Sequence, residues 1–105
     1  MSDILNKLYS VLEERKGADP ESSYVASLYH KGTERITQKV LEEASEAVIE
    51  AIKGDAHLLR EESADLLFHL MVLWADQGIT PDEVLDVLEK RFGTSGHDEK
   101  ASRKT

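Results

Sequence analysis

Residues 61–74, EESADLLFHLMVLW, restrict the possible folds of this chain more than any other stretch. From Ala64 onward the segment is apolar almost all the way round a helix, so the fold has to cover it on several sides. The same segment carries Glu62, Asp65 and His69. An ionised carboxylate removed from water without a partner costs several kcal/mol even after the protein relaxes around it. Another part of the chain must offset that cost.

Bulk properties narrow what can do so. The 105 residues form one domain with room for one core. A content of 40% hydrophobic and 32% charged residues indicates a folded, globular chain rather than a disordered one. With no cysteine, disulfides, thiolate metal sites and cysteine nucleophiles are excluded. No apolar run approaches the roughly 18 residues of a membrane span, and the opening MSDILNKLY lacks a signal-peptide layout. The expectation is a cytoplasmic protein that binds no membrane. A formal net charge of −8 argues against nucleic acid, whose binders are basic. An anionic ligand would need a divalent cation between itself and this chain.

Periodicity predicts an all-α fold. A first helix is expected over Asp3–Lys16, with Ile4, Leu5, Leu8, Val11 and Leu12 as its apolar stripe. SYVASLYHKG reads as a short helix ending near Gly32, and Thr33 as the cap of a helix that stops at Gly54. Asp55 caps a long helix ending near Gln77, and TPDEV at residues 80–84 opens a last one expected to bury Val84, Leu85, Leu88 and Phe92. Residues 1–92 form the helical domain, and residues 93–105 a flexible C-terminal tail. The short link at Gly54–Asp55 makes the two central helices an antiparallel hairpin. The apolar run Leu66–Trp74 exceeds what one protomer covers, so a homodimer is expected to complete a four-helix core.

At about 100° per residue, Glu43, Glu46 and Glu50 stack along one edge of the first hairpin helix. That edge borders a broad apolar face of Val40, Leu41, Ala44, Ala47, Val48, Ala51 and Ile52. Glu62, Asp65 and His69 form a similar stripe on the second helix. If the stripes face each other, Glu43, Glu46, Glu62 and Asp65 converge. Four like charges repel unless a cation joins them. Mg²⁺, a hard ion that prefers oxygen ligands and keeps positions open for phosphates, fits best. Di-iron bundles require Glu-x-x-His pairs, which are absent from these two stripes. His69 is read as a hydrogen-bonded core histidine.

The pairs Glu43-x-x-Glu46 and Glu62-x-x-Asp65, set in KVLEEASEAVIEA and EESADLLFHLMVLW, resemble the signature of the MazG-like all-α nucleotide pyrophosphohydrolases. The flanking segments SSYVASLYHKGTERITQKV and RFGTSGHDEKASRK are similar to the phosphoribosyl-ATP pyrophosphatase family within that superfamily, from about Ser22 to Lys104. The resemblance implies Mg²⁺-dependent hydrolysis of phosphoribosyl-ATP to phosphoribosyl-AMP and pyrophosphate, the second step of histidine biosynthesis. It also implies a dimer. The lack of cysteine for a zinc-dependent cyclohydrolase partner points to the stand-alone form. The alternative is a house-cleaning nucleoside triphosphate pyrophosphohydrolase with the same metal site. Metal ligation is assigned to Glu43, Glu46, Glu62 and Asp65, and activation of water to Glu46 or Glu50. Lys31, Arg35 and Lys39 supply positive charge for the phosphates, and Lys100 and Arg103 match the family's ending.

Overall fold

The computed structural model describes residues 3–92. Helix α1 covers Asp3–Glu14 and continues into a 3₁₀ turn at Arg15–Gly17; α2 covers Tyr24–Lys31, α3 Thr33–Lys53, α4 Ala56–Asp76 and α5 Pro81–Phe92. No strand occurs among the described residues. The tail from 93 to 105, with Lys100 and Arg103, lies outside them.

Local chemistry sets most of these boundaries. The Ser23 hydroxyl accepts from the Ala26 N–H at 3.1 Å to start α2, and Asp55 Oδ1 accepts from the Leu58 N–H at 3.0 Å to start α4. At α5 the cap is reciprocal: Glu83 N–H donates to Thr80 Oγ1 at 3.2 Å, and Thr80 N–H donates to Glu83 Oε1 at 2.8 Å. Gly54, left-handed at φ 78°, closes α3 and turns the chain into α4. Thr33 is not a cap. Gly32 takes the capping position, and the Thr33 hydroxyl donates to Asp76 Oδ2 at 2.6 Å, tying the start of α3 to the end of α4.

The hairpin of α3 and α4 is the spine of the fold, with α1 and α2 packed along it. Leu12, Leu28, Ile36, Met71 and Val72 are sealed from solvent where these four helices meet. Polar ties sit at the edges of this core. The Lys16 ammonium donates to the Ala75 carbonyl at 2.8 Å, placing positive charge at the C-terminal end of α4. The Tyr29 hydroxyl donates to the Leu12 carbonyl at 3.0 Å.

Two burial expectations are corrected. In α5, Leu88 and Phe92 are exposed and Val84 and Leu85 only half-buried, because the helix packs mainly on α1 and is anchored by its first turn, where Pro81 is buried. In α3 the broad apolar face is split. Ile36, Glu43 and Ala47 point inward, while Leu41, Val48 and Ile52 are 71%, 56% and 81% exposed. About 100° per residue places Leu41, Val48 and Ile52 nearly opposite Glu43. The acid edge therefore takes the inside of the hairpin and displaces apolar side chains outward. In α4, Met71, Val72 and Ala75 are buried beneath α1 and its neighbours, while Leu66, Phe68, Leu70, Leu73 and Trp74 are half-buried and Leu67 is exposed.

Candidate active site

Antiparallel packing of α3 on α4 brings the two acid stripes together. Carboxylate oxygens of Glu43, Glu62 and Asp65 lie within 4.8 Å of one another. Glu43 is buried, Glu62 half-buried and Asp65 exposed, so the group forms a funnel open on the Asp65 side. Glu62 Oε1 is sealed from solvent and has no hydrogen-bond partner. Burial, followed by the charges of Glu46, Asp65 and Glu43, raises the Glu62 carboxyl above its ordinary value.

Among the described residues, Lys39 is the cation that stands against these acids. Lys39 Nζ is 3.4 Å from Glu43 Oε2 and 3.2 Å from Glu42 Oε1, so its charge is divided between the two. Its bond to Glu42 is the main cause of its raised pKa, and the same bond is the main cause of the lowered pKa of Glu42. Arg35 also reaches Glu42, at 3.5 Å. Lys31 is exposed at the end of α2 and forms no ion pair among the described residues.

Three packed carboxylates, one carrying an orphaned buried oxygen, are a poor arrangement for a protein on its own and a good one for a divalent metal. Such an ion takes oxygen donors and cancels their mutual repulsion. Of the four acids expected to converge, Glu43, Glu62 and Asp65 form the compact triad. Glu46 is exposed beside it and is the strongest of the charges acting on Glu62. Glu50 lies apart, toward the hairpin turn, where it lines a separate cavity of about 180 Å³ with Gly54, Asp55 and Leu59. Its Oε1 is likewise buried without a partner.

His69 is the core histidine expected, with both nitrogens bonded. Its Nδ1 is 2.8 Å from the Asp65 carbonyl and its Nε2 is 2.7 Å from the Tyr24 hydroxyl. A carbonyl can only accept, so the imidazole proton sits on Nδ1, and in the neutral ring Nε2 accepts from Tyr24. Tyr24 was not singled out in the sequence. It begins a short helix 45 residues before His69, and no spacing rule links positions so far apart.

Comparison with known proteins identifies the family. The phosphoribosyl-ATP pyrophosphohydrolase family model matches residues 5–92. The chain is 57% identical over 102 residues to the phosphoribosyl-ATP pyrophosphatase of Azospirillum brasilense, an alignment spanning 97% of this chain and 92% of that protein. The match extends well past the acid pairs into every helix described, and the chain belongs to the phosphoribosyl-ATP pyrophosphohydrolase family.

Proposed function

We propose that this protein hydrolyses phosphoribosyl-ATP to phosphoribosyl-AMP and pyrophosphate, the second step of histidine biosynthesis, with Mg²⁺ held by Glu43, Glu62 and Asp65. The triad of carboxylates closing to within 4.8 Å around an unpartnered buried oxygen is the observation that carries this reading. When bound there, Mg²⁺ would neutralise phosphate charge and favour departure of pyrophosphate. Mg²⁺ is preferred over softer metals because the donor set is entirely carboxylate.

The chain's own residues then have distinct roles. Glu43 is held in place by Lys39, whose ammonium lies 3.4 Å from Oε2 of that buried carboxylate on the inside of the hairpin. Glu46, exposed beside Glu62, is the residue that orients the attacking water and takes its proton. The water oxygen bonds to phosphorus as the anhydride between the α- and β-phosphates breaks, and pyrophosphate leaves. Glu50 is less suited to that role because it sits away from the triad, at the hairpin turn. Arg35 and Lys31, at the entrance to α3, supply positive charge to the phosphates, with Lys39 between them and the acids. Lys100 and Arg103 are assigned to the phosphoribosyl end of the substrate on the family resemblance alone.

The protein acts as a homodimer in the cytoplasm on this reading. The exposed stripe of Leu41, Val48 and Ile52 is the surface that a second copy would cover. No helix among the described residues is long and apolar enough to cross a membrane.

The direct test is pyrophosphate release from phosphoribosyl-ATP measured beside ATP, GTP, CTP and UTP with Mg²⁺ present. Turnover confined to phosphoribosyl-ATP is expected. Preference for ordinary or modified triphosphates would replace this function with the house-cleaning one.

A further inference from the structure

An open cavity of about 380 Å³ lies between α1, the start of α2 and α4, and nothing in the metal chemistry uses it. Val11, Leu12, Arg15, Tyr24 and Phe68 are among the residues that wall it. Its charge stands out in this chain. Asp and Glu make up 21 of 105 residues, yet among the described residues no carboxylate lines the cavity and Arg15 is its one charged side chain. Two aromatic rings among aliphatic side chains, with Ser22, Ser23 and a guanidinium at the same wall, suit a flat ring attached to an anion.

The cavity also adjoins the acid triad. Phe68 meets the His69 ring edge-on at 5.2 Å, and Tyr24 meets it edge-on at 5.7 Å. His69 in turn bonds the Asp65 carbonyl at 2.8 Å. A single imidazole therefore separates the aromatic wall from the turn of α4 that carries Asp65. One helical turn is about 5.4 Å, which is the scale of a ribose. The charges acting on Tyr24 follow from the same adjacency. Burial raises the Tyr24 phenol above its ordinary value, Lys39 and Arg35 pull it down, and Glu43 pushes it up.

We infer that this cavity is the subsite for the purine ring of the nucleotide whose phosphates lie at the triad of Glu43, Glu62 and Asp65. The inference rests on the proposed function of that triad and adds where the base goes. Tyr24 gives the subsite a polarity. Its proton is committed to His69 Nε2, so its oxygen is left as an acceptor. That oxygen favours an amino or hydroxyl group of the nucleoside and disfavours a phosphate.

The test fills the cavity. Val11 lines it and is 41% exposed, so Val11→Trp adds bulk to the cavity without opening the core. The readouts are KM for phosphoribosyl-ATP, the competitive inhibition constant of inorganic tripolyphosphate, and the sedimentation coefficient. A rise in KM of about tenfold with tripolyphosphate inhibition within twofold of wild type is expected, since one lost aromatic contact is of that order. Phe68→Leu, which keeps an apolar side chain in the wall, should show the same split more weakly. Equal weakening of both ligands would mark a structural disturbance and overturn the inference, as would unchanged binding of both. A change in association state with no split would make the cavity a seat for a second copy, which also overturns it. A wild-type protein that neither turns over phosphoribosyl-ATP nor binds tripolyphosphate with Mg²⁺ would instead remove the reading of the triad beneath it.

Discussion

Replacing Tyr24 by Phe tests the contact between α2 and α4 that stands next to Asp65. The substitution keeps the ring and removes one hydroxyl, leaving Nε2 of an imidazole that is 6% exposed without its 2.7 Å partner. An unsatisfied buried acceptor costs about 1–3 kcal/mol, and the half-exposed Tyr24 ring lets some water approach, so a loss of about 1–2 kcal/mol is expected. For a domain of this size that corresponds to a fall in Tm of roughly 4–16 °C. His69→Leu should cost less, because Leu suits the apolar surroundings and the Tyr24 hydroxyl can turn to solvent. In the His69→Leu background, Tyr24→Phe then removes nothing of value and should be nearly neutral. Thermal unfolding of wild type, both single variants and the double variant closes the cycle, with an expected coupling of about 1–2 kcal/mol. Additive losses would show that the hydrogen bond contributes no coupling energy and would refute the reasoning.

Two other outcomes follow from charge and exposure. Because the folded state holds the Glu62 proton more tightly than the ordinary carboxyl value of 4.5, this group costs metal-free protein stability as pH rises from that value through the raised one. Glu62→Gln should therefore melt higher than wild type in chelator, by a margin that grows with pH over that window; a margin that shrinks would contradict the assignment. Val48→Glu with Ile52→Glu places charge on the exposed stripe of α3 and should convert dimer to monomer by sedimentation, whereas a variant that associates as wild type does would place the interface elsewhere.

Much of the fold could be read because its signals are local. The Asp55 and Thr80–Glu83 caps, Gly54 and the helical spacing each act within a few residues, and each sits where the spacing places it. Legibility ended where one element competes with another. Leu41, Val48 and Ile52 look like a core face on a helical wheel, but Glu43 and Ala47 take the inside because the facing helix carries the matching acids. Leu88 and Phe92 keep a core-like spacing on a helix with too few neighbours to bury them. In the site, the i, i+3 pairs located Glu43, Glu62 and Asp65, since an antiparallel hairpin sets that register. That Glu46 stays outside the triad depends on how far the stripes overlap, and the Tyr24–His69 bond on how α2 docks. Neither is written in a spacing.

The central claim is that Glu43, Glu62 and Asp65 form a cation site on which phosphoribosyl-ATP hydrolysis depends. Its most direct measurement is kcat as a function of Mg²⁺ concentration for wild type, Glu62→Gln and Asp65→Asn, with circular dichroism confirming that each remains helical. The account predicts Mg²⁺-dependent turnover in wild type and a fall of roughly a hundredfold or more in each variant with the helical signal intact. Turnover that persists in chelator, or survives in both folded variants, would contradict it.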